Sequence, residues 1–273
     1  MGALQVGIMR ELIDHGFEPA RIVGTSVGAL NGAFLAFYPG MAGVEHLADI
    51  WQGLEDDHFI HSNPVKVAYR LASQQLGLFS NDFLRQLIAN HPIEDDFSAA
   101  KVPLYITATN MNTGRKHVFN QGSVSQAVLA SSAIPGVFPP VEIDDDIYLD
   151  GGIVANLDLE TAVDLGEREI LAIDLSHCFK LTDPKNVIGV ITRTVDIVLR
   201  EHVERDMEFL GNRANITLIQ PEIEDGPGIG ELRHVSRLIE RGETIAEQVV
   251  DQCFDKRGRL RPGVISTATT VLA

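Results

Sequence analysis

The sequence predicts an α/β protein with a mostly parallel central sheet covered by helices on both sides. Two observations carry this expectation. Short apolar strands alternate with helical stretches along most of the 273-residue chain. Several strands, EILAIDL among them, are apolar on both faces, the pattern of strands buried between two helical layers. A third observation, a Gly-x-Ser-x-Gly turn at the first strand-to-helix junction, shows where chemistry would sit on that scaffold.

Taken in order, Leu4, Ile8 and Leu12 recur at helical spacing in GALQVGIMRELIDHG, a helix that begins almost at residue 1 and stops at Gly16. Glu18-Pro19 turns the chain into a very short strand, ARIVG, and TSVGALNGAFLAFYPG follows as a helix closed by Pro39-Gly40. Gly28, Ala29, Gly32 and Ala33 leave that helix a face with little side-chain bulk, which implies close backbone approach to a neighbour. Residues 41–100 read as mostly helix and loop, with a helix at 81–90. VPLYITAT is a strand, NMNTGR a turn and KHVF the returning strand of a hairpin. SVSQAVLASSAIPG is a helix whose end is set by Pro135, and FPPVEIDDDIYLDGG is a hairpin around Asp144 to Asp146.

A short helix at 159–165 precedes the strand at 169–175. An amphipathic helix then runs from about Asn186 to Leu210, its apolar stripe formed by Ile188, Ile191, Val195, Val198 and Leu199. NITLIQP is a strand, EDGPGIG a loop, and ELRHVSRLIERGETIAEQVVDQC one or two closing helices. These elements make one domain over 1–256, and residues 257–273, with weak periodicity, read as a C-terminal tail.

Composition excludes some functions. Thirty-eight acidic against 22 basic side chains, a formal charge of −16, work against capture of nucleic acid or anionic lipid by bulk attraction. Cys178 and Cys253 have no CxxC spacing and read as reduced thiols of a cytoplasmic protein. No apolar run is long enough to span a bilayer, so any membrane contact is expected to be peripheral.

Gly24-Thr25-Ser26-Val27-Gly28 lies between ARIV and the helix beginning ALNG. In that context a serine stands at a crowded elbow beside unpaired helix amides, where its hydroxyl can act as a nucleophile. The alternatives are a serine that only caps its helix and a nucleotide-binding turn, the latter without a GxGxxG or GxxxxGK[ST] motif. A serine needs a base. Among nine histidines only His177 stands at a strand end, and 25 residues before Ser26 are too few for the strands that precede the serine in an α/β-hydrolase. Asp150-Gly151-Gly152, after the strand IYL, can bend sharply enough to aim a carboxylate into a cleft, although Asp-Gly is also a common plain turn. Asp56, Asp57, His58 and His61 lie close in sequence but without a recognised metal-ligand spacing, and read as a hydrated loop.

GTSVG, ASSAIPGVFPPVEI, YLDGG and ANL occur in the order and context of the patatin-like phospholipase family, which the chain resembles from Gly2 to about Ile245. The resemblance implies a three-layer α/β/α fold and hydrolysis of lipid or other acyl esters by a Ser-Asp dyad, with no cofactor and no metal. On that match Ser26 is the nucleophile and Asp150 its base. Ile134, Pro135, Val137 and Phe138 would line part of an acyl pocket, or simply pack the core. In the family an apolar strand and a G-G-G-x-[RK]-G loop, whose amides form the oxyanion hole, precede the first helix. Here Gly2 falls at the last glycine of that loop and Met1 at the basic position. The reading frame is therefore expected to extend upstream, since loss of one oxyanion donor alone costs roughly 3 to 4 kcal/mol. Asp158 also replaces the proline common after Asn-Leu. A patatin-like binding or regulatory protein with impaired catalysis is the alternative reading of the same pattern.

Overall fold

The computed structural model describes residues 1–56, 81–90, 93–178, 187–223 and 235–269. It has the α/β/α architecture, with β-sheet flanked by helices, and divides into two compact units. One comprises Glu18–Ala155 with Gly2; the other comprises Met1, Ala3–Phe17 and Asn156–Ala273.

The first unit contains β1 (Ile22–Thr25), α2 (Val27–Phe37), α3 (Met41–Asp56), α4 (Asp82–Asn90), β2 (Leu104–Asn110), β3 (Arg115–Phe119), α5 (Val124–Ser131), β4 (Val141–Ile143), β5 (Asp146–Asp150) and α6 (Gly152–Ala155). Its sheet is built on β2, a strand buried at all but one of its seven positions. On one edge β2 pairs with β1 in parallel over Leu104–Thr107 and then with β5 in antiparallel over Ala108–Asn110. β3 runs antiparallel along the other edge, and β4 pairs antiparallel with β5. This sheet is mixed because four of its strands arrive as the two expected hairpins, turning at Gly114 (φ +69°) and at Asp144 (φ 54°).

Small residues set the distance of α2 from β1. A Cβ on Gly24 would lie 2.5 Å from the carbonyl oxygen of Gly28, and one on Gly32 would lie 2.9 Å from Ile22 Cγ2. Behind α2, the buried Asn31 donates Nδ2–H to the Gly2 carbonyl at 3.1 Å and accepts the indole N–H of Trp51 at 2.9 Å. The helix α5 is held at its start by two residues. Ser123 caps the Gln126 amide, while Asp95 accepts both the Ser125 amide and the Ser123 hydroxyl. It ends at Ser131, four residues before Pro135, which has no N–H with which to continue the helix.

The second unit contains α1 (Gly2–Asp14, joined to this unit from Ala3), α7 (Leu159–Asp164), β6 (Glu169–Ile173), α8 (Val187–Leu210), β7 (Asn215–Ile223), α9 (Val235–Cys253) and β8 (Gly263–Thr269). The three strands form a wholly parallel sheet in the order β6-β7-β8. Residues 257–273 were expected to be a tail, yet β8 pairs with β7 over seven positions. Glycines again permit close approach, this time between helices: a Cβ on Gly7 of α1 would stand 2.0 Å from the Ile239 carbonyl oxygen of α9. Arg10 of α1 and Glu243 of α9 form an ion pair beside that crossing. α8 forms where expected, but its stripe departs from expectation. Val195 and Val198 are exposed, and among its described side chains the buried ones are Val203 and Leu210 in the second half.

Candidate active site

Two sharp turns of the first unit meet at β2. The first follows β1. Ser26 has φ 54° and ψ −122°, a positive φ that only two non-glycine residues adopt among the described ones. Such a conformation is costly for an L-residue and persists where surrounding contacts over-determine it. Ser26 occupies the cap position of α2 but makes no side-chain cap bond. The plain capping role is thereby removed, and the hydroxyl is directed elsewhere: Oγ donates to Asp150 Oδ2 at 2.7 Å.

The second turn follows β5. Asp150 is the last residue of that strand, in register with Ala108 of β2, and is 7% exposed. Its amide donates to the Ala133 carbonyl at 2.9 Å, and its carbonyl accepts the buried Thr109 hydroxyl at 2.8 Å. Its Oδ1 accepts the Gly152 amide at 2.8 Å, leaving Oδ2 to Ser26. Between them Gly151 cannot be replaced cheaply, since a Cβ there would stand 2.2 Å from the Thr107 carbonyl oxygen and 2.9 Å from Thr25 Cγ2. The turn is sharp because this residue has no side chain.

Burial pushes the Asp150 carboxyl up to about 6, against the opposing pull of its hydrogen bonds from Ser26 and Gly152. It is ionised at neutral pH yet a much better proton acceptor than a hydrated carboxylate. A hydroxyl hydrogen-bonded to such a carboxylate can be deprotonated as it attacks an electrophile.

Sequence reasoning anticipated both members of this pair but not the groups that hold it. Ser131, the last residue of α5, accepts the Ser26 amide on its Oγ at 2.8 Å and donates to the Thr107 carbonyl at 2.7 Å. Thr25 Oγ1 donates to the Ala155 carbonyl at 3.2 Å, tying β1 to the helix that follows Asp150. Ser131 stands inside the ASSAIPG segment, so its location was visible in the sequence while its partners were not.

Among the described residues, the partners of Ser26 and Asp150 include no histidine. His177 falls in a turn of the second unit, Leu175–His177. His46 faces the rings of Phe34 and Tyr38, and His117 those of Phe119 and Tyr148. Of the suspected hydrated loop, Asp57, His58 and His61 lie outside the described residues, as do His91 and His234. The connector Ile134 to Phe138 begins one residue after the carbonyl that binds the Asp150 amide. Ile134 and Pro135 are exposed there and Val137 and Phe138 are half-buried, so the first two are not core residues.

Known proteins resemble this chain over part or most of its length. The family model described as patatin-like phospholipase matches residues 1–163. Patatin-like phospholipase domain-containing protein 7 of Rattus norvegicus is 28% identical over 176 residues, covering 64% of this chain and 13% of its own. An uncharacterized NTE family protein of Mycobacterium tuberculosis is 24% identical over 270 residues, covering 90% of this chain and 44% of its own. Lysophospholipase NTE1 of Phaeosphaeria nodorum is 28% identical over 174 residues, 64% of this chain and 11% of its own. This chain thus spans less than half the length of each of these relatives. VipD from Legionella pneumophila aligns over 92% of this chain and 65% of its own, at 13% identity and a TM-score of 0.42.

Proposed function

The chain belongs to the patatin-like phospholipase family, which supports a hydrolase role, and on that premise we propose that it is a serine acyl-ester hydrolase using Ser26 and Asp150 as a dyad. The observation that carries the proposal is the 2.7 Å hydrogen bond from Ser26 Oγ to Asp150 Oδ2, made by a serine held at positive φ. Ser26 Oγ attacks the acyl carbonyl while Asp150 Oδ2 takes the hydroxyl proton. The tetrahedral adduct collapses to an acyl-serine, and Asp150 returns the proton to the departing alcohol. Water, deprotonated by the same carboxylate, then releases the fatty acid and regenerates the serine. The amide of Val27, the residue after the nucleophile, has no acceptor within α2 and is one donor available to the oxyanion.

The proposed substrates are phospholipids, lysophospholipids or other fatty acyl esters, in keeping with the names of the relatives. The exposed Ile134 and Pro135 next to the dyad suit an acyl chain. Contact with lipid is proposed to be peripheral, since no helix among the described residues is long and apolar enough to cross a membrane. Both cysteines are buried and unpaired, which suits a reducing, cytoplasmic compartment.

A fluorophosphonate probe and a p-nitrophenyl acyl ester test the proposal together. The wild-type protein is expected to be labelled on Ser26 and to hydrolyse the ester. Ser26→Ala is expected to abolish labelling and to lower turnover by a factor of about 10³ or more. Undiminished hydrolysis by the folded variant would remove Ser26 from the nucleophile's role.

A further inference from the structure

We propose that Ser131 is a positioning residue for both halves of the dyad, holding the main chain of Ser26 with its hydroxyl and the loop after Asp150 with its carbonyl. This rests on the reading of Ser26 and Asp150 as nucleophile and base.

Ser131 belongs to neither catalytic turn; it ends α5 and is wholly buried. A buried serine at a helix end most simply bonds back to a carbonyl of its own helix. Ser131 does not take that partner. Its hydroxyl donates across to the Thr107 carbonyl of β2 at 2.7 Å and accepts the Ser26 amide at 2.8 Å. Its own carbonyl accepts the Gly151 amide at 3.3 Å. The same Thr107 oxygen is the atom against which Gly151 packs, 2.2 Å from where a Cβ would be. One carbonyl of β2 therefore serves as a post for the serine clamp and for the turn that carries the base.

The amide bond matters because of the conformation it fixes. With φ at 54°, Ser26 is strained, and its N–H is turned toward α5. Without an acceptor there, the amide would be left without a partner in a part-buried site, and rotation toward ordinary φ would become favourable. That rotation carries Oγ away from Asp150. Only a side chain that is at once donor and acceptor can bond both the Ser26 amide and the Thr107 carbonyl, and alanine is neither. The effect belongs in kcat, because Ser131 is wholly buried and acts through the placement of Ser26 Oγ, the attacking atom.

The test compares Ser131→Ala and Ser131→Thr with wild type in ester hydrolysis, fluorophosphonate labelling and thermal unfolding. S131A is expected to lower kcat and the labelling rate by about 10²-fold, the cost of misplacing a reacting atom by around 1 Å, with little change in KM. S131T, which keeps the hydroxyl, is expected to recover most of that loss. The pH–rate midpoint of S131A should also rise above that of the wild type, because the Ser26 hydrogen bond that opposes the upward shift of Asp150 is weakened. A folded S131A with wild-type kcat and an unmoved midpoint would overturn the assignment. If S131A does not fold, Ser131→Cys decides, since a thiol keeps the volume and weakens both bonds. Lower kcat at constant KM supports the clamp, and equal kcat refutes it. A wild-type protein that neither labels nor hydrolyses would instead sink the dyad reading and this inference with it.

Discussion

Asp150 at the end of β5 and Asp174 just after β6 are both buried, 7% and 1% exposed. Each accepts on Oδ1 the amide two residues further on, Gly152 at 2.8 Å and Ser176 at 2.9 Å. They differ at Oδ2. Asp150 receives the hydroxyl of Ser26 at 2.7 Å, whereas Asp174 receives the side-chain amide of Gln220 at 3.1 Å. An amide proton is not surrendered at any accessible pH, so the Gln220 bond gives Asp174 no proton to take. On the proposed mechanism a hydroxyl on a strained residue gives up its proton as it attacks, and Asp150 becomes a proton relay. The second donor separates the two sites, and so does the turn that follows each: a glycine packed on the Thr107 carbonyl after Asp150, the short helical turn Leu175–His177 after Asp174.

The largest expected effect follows directly. Asp150→Asn removes the acceptor and should lower kcat/KM for an acyl ester by about 10² to 10⁴, the usual contribution of a general base. Asp174→Asn, in the other unit, should leave kcat/KM unchanged. Steady-state kinetics of the two purified variants checks both, and equal losses would break the comparison.

The sequence separates these aspartates only in part. YLDGG has two glycines after the acid, and Gly151 is needed because any Cβ would strike the Thr107 carbonyl; AIDLS carries no such mark. GTSVG was legible for the same reason, since Gly24 must clear the Gly28 carbonyl. Helices and hairpins were legible from period and turn residues. Ser131 and Thr109 were not, because a hydroxyl that bonds across elements leaves no periodic trace, and Ser and Thr are common everywhere. β8 was missed because GVISTAT is short and follows the glycine- and arginine-rich RGRLRPG, and its partner β7 lies 40 or more residues earlier. The exposed valines of α8 show the same limit: periodicity announces a helix without saying which turns of its stripe find a partner.

A smaller effect sharpens the comparison through pH. On the proposed mechanism ionised Asp150 is the active form, and burial pushes its carboxyl up to about 6. Ester hydrolysis should therefore be flat above neutral pH and fall about tenfold for each pH unit well below 6. A kcat/KM profile from pH 4.5 to 8 checks this, and D174N should give the same midpoint as wild type. A profile without that limb would mean that the group hydrogen-bonded to Ser26 is not the base.

The smallest effect concerns stability and has opposite signs at the two sites. Because folding raises the Asp150 carboxyl from 3.8 to about 6, the folded protein binds this proton more tightly than the unfolded chain does. The stabilisation this gives is complete below about pH 4 and is lost as pH rises through 6, so at pH 8 the buried charge costs on the order of 3 kcal/mol. D150N removes that charge while its amide oxygen can still accept the Gly152 N–H. It should therefore be more stable than wild type at pH 8, by about 1 to 3 kcal/mol, with the advantage gone near pH 4. D174N replaces an acceptor facing the Gln220 amide with a donor and should lose on the order of 1 kcal/mol at pH 8. Denaturant unfolding at the two pH values distinguishes the sites. A base kept buried beside a nucleophile is held against the stability of the fold, whereas a turn-holding carboxylate supports it, so a stabilised and inactive D150N beside a destabilised and active D174N is the expected pair.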